Sequence, residues 1–390
     1  MSSPLTPVLE QIENDFDNAV ERLQTFLKIP SISTNPEYKS EVRRCAEHIT
    51  NELESIGLNA TLHDTIGHPM VIATDDSAGE NARRVLYYGH YDVQPVEPLD
   101  EWEHPPFDGV VVDGPRGKRF VARGAADDKG QLMTFIEAIR AWKQIHGSLP
   151  VRVVILLEGE EESGSESLVP FLTEHKDALQ ADTCIVCDTS MWDENPPAIT
   201  SRLRGIVYIE ATLHGPSHDL HSGGYGGAVV NPANALTKIL GQLHDDDGRI
   251  QIDGFYDDVV EVSAEQVAQW NALGDADALT LEGSGAKAIF GEKGFSTLER
   301  LWSRPTCDIN GLFAGYTGEG AKTVIGATAT AKISCRLVAN QNPKQIQNAL
   351  FAFLKDRTPV GCHWDFKDLG ASPAIAVPTD SPWLTAAIES

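Results

Sequence analysis

The sequence predicts an α/β fold: a layered domain around a mostly parallel sheet, interrupted by a smaller α+β domain. Three observations carry this expectation. Three apolar runs, Arg84-Val-Leu-Tyr-Tyr88, Arg152-Val-Val-Ile-Leu-Leu157 and Thr183-Cys-Ile-Val-Cys187, read as strands buried on both faces. A helical segment from Gly130 to Trp142 separates the first two, as a parallel crossover requires. Near Arg202 the pattern changes to alternating strands and shorter helices.

The elements follow in order. Phe16, Val20, Leu23, Phe26 and Leu27 recur at helical spacing over residues 14–28. A second helix is expected from Glu41 to Ile56, where Gly57 supplies the stop. After the three strands and their helix, Gly205 to Leu213 alternates like a half-exposed strand and Pro232 to Leu243 is helical. An acidic loop from His244 to Gly248 and a mixed stretch to Phe290 follow. Thr328 to Leu337 reads as a strand, Pro343 opens a helix to Leu354, and Val360 to Phe366 forms a final strand. Strand, helix, strands, helix, strand is the order of a small α+β sandwich inserted into the first domain. Pro382 to Ser390 then begins another helix. The expected boundaries are 1–201 with 369–390 for the first domain and 202–368 for the insertion.

Composition narrows the function. Lys and Arg number 31 against 57 Asp and Glu, and 31 − 57 gives a formal charge of −26. Nucleic acids and anionic membranes repel such a chain. With 41% hydrophobic and 23% charged residues, the chain has material for a large core. No apolar run reaches the roughly 18 residues of a membrane span, and the N-terminus lacks a secretory pattern. Cys45, Cys184, Cys187, Cys307, Cys335 and Cys362 are too sparse for a disulfide framework, which points to the cytoplasm. Cys184 and Cys187 are expected to be core thiols of their strand.

Chemistry collects where the three strands end, the edge that carries function in open α/β sheets. The first strand runs into Gly89-His-Tyr-Asp92, and residues two apart share a face of an extended chain, so Asp92 can orient His90 as a metal ligand. Asp127 and Asp128 precede the helix at Gly130, a position a helix dipole alone also favours for acids. Glu158, Glu160, Glu161 and Glu162 crowd the end of the second strand, and crowding of that kind calls for cations or raises carboxyl pKa values. Asp188 ends the third strand. One imidazole among carboxylates suits a hydrolytic site with two divalent ions that activate water. There is no G-x-S-x-G nucleophile elbow, and Gly223 to Gly227 lacks the lysine of a phosphate loop.

Five segments together resemble the carnosinase-like metallodipeptidases, relatives of aminoacylases and succinyl-diaminopimelate desuccinylases. They are Gly89-His-Tyr-Asp-Val-Gln-Pro95, Arg123-Gly-Ala-Ala-Asp-Asp-Lys-Gly130, Glu160-Glu-Glu-Ser-Gly-Ser165, Cys187-Asp188 and Asp219-Leu-His-Ser-Gly223. The resemblance implies a zinc-peptidase-like catalytic domain carrying a ferredoxin-like lid through which the protein forms a homodimer. It implies two divalent ions, zinc first, with manganese or cobalt as alternatives. His90, Asp127 and Asp188 would hold one ion, Asp127 and Glu162 the other, and Asp92 would orient His90. Glu161 would be general base and then acid, and His221 would stabilise the oxyanion in the partner subunit's site. Thr323 and Arg336 would grip the substrate carboxylate, for which an arginine fork is well shaped.

One departure accompanies the match. The family's further histidine ligand lies in a segment after the lid, near a Gly-Gly-Ser-Ile-Pro-like turn that is absent here, and His363 comes too early to replace it. On this reading the chain lacks roughly 60–80 residues of a complete member. The implied activity is hydrolysis of dipeptides or short peptides with a free carboxylate. The alternatives are an N-acyl amino acid deacylase or carboxypeptidase, and a weak or inactive fragment that dimerises through its lid.

Overall fold

A computed structural model describes residues 4–114, 117–189, 191–192, 198–378 and 380–389. Ser390, the end of the expected last helix, lies outside them. The chain folds as two compact units, Met1–Ala198 and Ile199–Ser390.

The first unit contains helices α1 (Thr6–Asn14), α2 (Phe16–Leu27) and α3 (Lys39–Ser55), then strands β1 (Asn59–His63), β2 (Met70–Asp75) and β3 (Arg84–His90). A β4 (Val110–Gly114) and β5 (Gly117–Val121) hairpin leads to α4 (Lys129–His146), β6 (Arg152–Glu158), α5 (Leu168–Glu174) and β7 (Thr183–Val186). The main sheet has the order β1-β2-β6-β3-β7. Strands β6, β3 and β7 run parallel, and β1 and β2 add an antiparallel edge.

The unbroken apolar run of β6 has a direct cause. Val153, Ile155 and Leu157 pack with Phe26, Ile49, Leu132 and Ile136 on one face, while Val154 and Leu156 pack with Met70, Ile72 and Phe171 on the other. Both faces are covered, so alternation vanishes. Helix α4 ends at Gly147, whose φ of 75° is the left-handed cap that glycine adopts without steric cost.

Strand β7 departs from expectation. It is the outer strand of the sheet, Cys184 is exposed and Cys187 half-buried, and Ile185 and Val186 are 38% and 50% exposed. The Cys184–Cys187 pair is therefore not a pair of core thiols. An apolar run does not reveal whether its strand lies at a sheet's centre or rim.

The second unit contains β8 (Arg202–Leu203), β9 (Gly205–His214), β10 (Leu220–His221), α6 (Ser222–Tyr225), α7 (Pro232–Leu240), α8 (Ala264–Asn271), α9 (Ala276–Ser284) and α10 (Thr297–Trp302). It continues with β11 (Thr306–Ala314), β12 (Val324–Ile325), β13 (Thr328–Leu337), α11 (Pro343–Asp356), β14 (His363–Ser372), β15 (Ile375–Ala376) and α12 (Pro382–Glu389). Its antiparallel sheet has the order β11-β13-β9-β14, and α7 and α11 pack on one face through Leu236, Ile239, Leu240, Ile346, Leu350 and Phe353. A β-α-β-β-α-β path with its first and third strands central is ferredoxin-like.

Strand β11 has no clear signal in the sequence because Asp308, Asn310 and Gly311 interrupt its apolar pattern at a register shift. Strand β14 outruns its expected end at Phe366, continuing past a shift between Asp368 and Gly370. Since β15 also pairs with β8, residues 369–376 hydrogen-bond within the second unit rather than the first.

Where β6 turns into the acidic loop, a Cβ on Gly159 would collide with the hydroxyl of the buried Tyr91. That hydroxyl donates to the Pro69 carbonyl at 2.5 Å. Gly159→Ala is expected to destabilise the first unit by about 1–3 kcal/mol, the usual cost of overpacking, read as a lowered thermal midpoint.

Candidate metal centre

Parallel pairing gathers the strand ends. His90 stands opposite Glu158 on β6, and Tyr88 opposite Val186 on β7, so residues 90–94, 159–165 and 187–188 leave the sheet at one edge. Asp127 and Asp128 reach that edge just before α4, joined by a cis peptide bond.

His90 is fully buried, and its two ring nitrogens have different neighbours. Nδ1 lies 3.1 Å from the Asp92 carbonyl and 3.3 Å from Asp92 Oδ1. Nε2 lies 3.1 Å from Asp127 Oδ1 and 3.8 Å from Asp188 Oδ2. One donor atom from each of His90, Asp127 and Asp188 falls within 4.8 Å of the others. An imidazole nitrogen flanked by two carboxylate oxygens, with the other nitrogen held by an acceptor, is the donor set of a divalent transition ion and its outer shell. The backbone N–H of His90 donates to Asp128 Oδ2 at 3.2 Å, so Asp128 holds the strand end rather than joining the cluster.

Asp92 is also fully buried and serves two purposes. Besides facing His90, its Oδ1 accepts from the Glu161 N–H at 3.2 Å and its Oδ2 from the Glu162 N–H at 3.1 Å. Gln94 then donates to Glu162, at 2.7 Å to Oε2 and 3.2 Å to the carbonyl. Sequence pattern alone assigns Gln94 no role; its place two residues beyond Asp92 is the signal that could have found it.

The four acids of the loop divide by function. Glu160 accepts from the His68 N–H at 2.6 Å, the Ser167 N–H at 2.8 Å and the Ser167 hydroxyl at 3.0 Å. Glu158 accepts from Tyr88 and Ser165 hydroxyls. These two buried acids anchor the loop, which leaves Glu161 and Glu162 to face the cluster.

The electrostatics record an excess of negative charge. Burial opposes protonation of His90, yet the Asp92 hydrogen bond and the charges of Asp92, Asp128 and Glu161 push its pKa up to about 10. Burial raises Glu161 to about 7, reinforced by Asp188, Glu162 and Asp92 and opposed by His90. Burial lifts Asp128 to about 6, and it also raises Glu162 and Asp188. Among the described residues no lysine or arginine forms an ion pair with these acids. Lys129, next in sequence, sends its buried ammonium to the Ile29 and Phe26 carbonyls at 2.7 and 3.2 Å. A divalent cation held by His90, Asp127 and Asp188 would supply the missing positive charge.

The remaining candidates lie in the second unit. His221 and Thr323 are brought together there, because β10 pairs with β12 and the Ser222 N–H donates to the Thr323 carbonyl at 3.0 Å. His221 is exposed, and its Nδ1 accepts from the Gly223 N–H at 2.9 Å. In the neutral ring that assignment leaves the proton on Nε2, a hydrogen-bond donor. Arg336 is exposed on β13, with no ion-pair partner among the described residues.

The chain is similar over most of its length to known metallopeptidases. The model of peptidase family M20/M25/M40 matches residues 86–390. The chain is 32% identical over 358 residues to the Cys-Gly metallodipeptidase dug1 of Schizosaccharomyces pombe, covering 89% of this chain and 75% of that protein. It is 29% identical to the human Beta-Ala-His dipeptidase, covering 99% of this chain and 80% of that one. Among solved structures, the M20 family metallo-carboxypeptidase Sso-CP2 from Sulfolobus solfataricus superposes with a TM-score of 0.81 at 34% identity, covering 95% of this chain and 82% of the other.

His90→Ala is expected to lose the divalent ion on dialysis. Asp92→Asn should weaken metal affinity about 10–100-fold while the chain stays folded, since it removes the group that orients the imidazole. Isothermal titration with Zn2+ and elemental analysis check both.

Proposed function

The chain belongs to peptidase family M20/M25/M40, and from that premise we propose that it hydrolyses dipeptides and short peptides that carry a free carboxylate. It is a metallopeptidase that depends on divalent metal ions. The observation that carries the proposal is the convergence of Asp127 and Asp188 on His90 Nε2 while Asp92 occupies Nδ1. Two ions, zinc first, are the reading this donor set favours, one held by His90, Asp127 and Asp188 and the other by Asp127 and Glu162. Bound there, such ions polarise a scissile carbonyl and lower the pKa of water.

The chain's own residues do the rest. Glu161 takes a proton from the attacking water and returns it to the leaving amine; its half-buried carboxyl, raised toward neutrality, suits both directions. Asp92 keeps His90 aimed and holds the loop bearing Glu161 by the backbone. His221, with Nε2 as donor, stabilises the oxyanion of a dimer partner's substrate. Thr323 and Arg336 recognise the terminal carboxylate, and among the described residues Arg336 has no acidic ion-pair partner.

We read the second unit, whose strands continue past residue 368 to Ala376, as the lid and dimerisation domain. Supporting it, β11 is an outer strand that exposes Ile309, Leu312 and Phe313, an edge suited to a second copy. Exposed Cys184, a free thiol, fits a reducing cytoplasm. A carboxypeptidase reading has one observation in its favour, the similarity to Sso-CP2.

Assay of the metal-loaded protein against dipeptides, longer peptides and N-acetyl amino acids separates these activities. Fastest turnover on dipeptides is expected; equal cleavage of long peptides from the carboxyl end would favour the carboxypeptidase, and turnover confined to N-acyl substrates a deacylase. Glu161→Ala should lower kcat by about 10²–10⁴-fold with metal content unchanged. His221→Ala should lower kcat by about 10²–10³-fold, also without loss of metal.

A further inference from the structure

Two of the six cysteines meet across the sheet of the second unit, and the proposed reaction uses neither. Cys307 on β11 stands directly opposite Cys335 on β13, and both are free thiols buried in the apolar core. A buried thiol by itself serves as a small apolar side chain. Here the hydrogen-bond ladder brings two of them together in a geometry suited to a covalent bond.

The Gly215 N–H donates to the Ala327 carbonyl at 2.9 Å, extending the register in which Val207 faces Cys335. Hydrogen-bonded and non-hydrogen-bonded pairs alternate along an antiparallel ladder. Counting in steps of two from Ala327 therefore makes Cys335 and Val207 a hydrogen-bonded pair. The backbone N–H and C=O of Cys335 point to β9, so toward β11 the residue occupies a non-hydrogen-bonded position. Opposed residues there have Cα atoms about 4.5 Å apart and side chains at their closest. That separation lies within the span of a disulfide, about 4.4–6.8 Å.

The two thiols are not equivalent. Its hydrogen bond with Cys307, together with burial, holds the Cys335 pKa well above the usual thiol range, so Cys335 is the poorer first nucleophile. Cys307 lies on an outer strand, two residues before a register shift between Ile309 and Gly311 that interrupts the ladder. Local opening of that rim admits a small oxidant.

We propose that Cys307 and Cys335 are a redox-modification site, forming a reversible disulfide that ties β11 to β13 when a peroxide is present. The Cys307 sulfur attacks one peroxide oxygen; the O–O bond breaks, leaving a sulfenic acid and water. The Cys335 sulfur then attacks the sulfenic sulfur; the S–S bond forms, the S–O bond breaks, and a second water leaves with the Cys335 proton. Two thiols are oxidised and one peroxide is reduced to two waters. The site draws on no residue of the His90 centre and stands whether or not the peptidase reading does.

The experiment treats the full-length, metal-replete protein with hydrogen peroxide, raised until the exposed Cys184 is oxidised. Remaining thiols are alkylated after unfolding, and the digest is mapped by mass spectrometry without reductant. A peptide joining Cys307 to Cys335 is expected, lighter than its two parts by two hydrogens and separated by dithiothreitol. The reading is made on the wild type and needs no variant to fold. Complete alkylation of Cys307 and Cys335 in a sample whose Cys184 is oxidised, or linkage of either to another cysteine instead, would overturn the proposal.

Discussion

The carboxylate of Asp92 is the constraint on which the site depends. It lies in the interior, where an ionised acid is tolerated only with its hydrogen-bonding capacity filled. Here it is filled by the groups that need positioning: the His90 ring on one side and two successive backbone N–H groups of the acidic loop on the other. One side chain therefore fixes both the tautomer of the imidazole and the approach of Glu161 and Glu162. Hydrogen bonds to charged groups are each worth about 1.5–3 kcal/mol, so the arrangement is stiff without any covalent link.

That stiffness is shared with buried acids outside the His90 cluster. Glu160 gathers three donors from residues 68 and 167, and Glu158 ties β3 to the far end of the loop through Tyr88 and Ser165. The loop is thus held at both ends and in its middle by carboxylates that accept only protein donors. What remains is a set of acids around His90 with raised pKa values and no protein counter-charge among the described residues. A site assembled in this way is incomplete as a neutral object, and its chemistry follows from the cation it recruits.

The second unit distributes its side chains by the same logic of faces. One face of its sheet meets α7 and α11 and is apolar; the other carries Thr212, His214, Lys332, Arg336 and Asp365. Residues of opposite character alternate along each strand, so a polar surface arises directly from the pleat. Strand β10, between β9 and α7, adds His221, whose ring is fixed by a bond to its own turn.

The sequence alone determined the strand-end positions of His90, Glu161, Glu162 and Asp188, because each follows an apolar run that the parallel sheet buries, and it placed Asp127 just before a helix. It also determined the family resemblance, through five spaced segments, and the ferredoxin-like order of the lid elements. Tertiary structure decided what depends on neighbours distant in the chain. Glu158 and Glu160 look identical in sequence to Glu161 and Glu162, and only the donors around each side chain separate anchors from site groups. Cys184 reads as buried until β7 is found at the rim of the sheet. His214 and His363 are 149 positions apart in sequence (363 − 214), and strand register alone makes them a pair. Local pattern reports which residues an element can bury; which groups meet across elements is settled by how the elements pack.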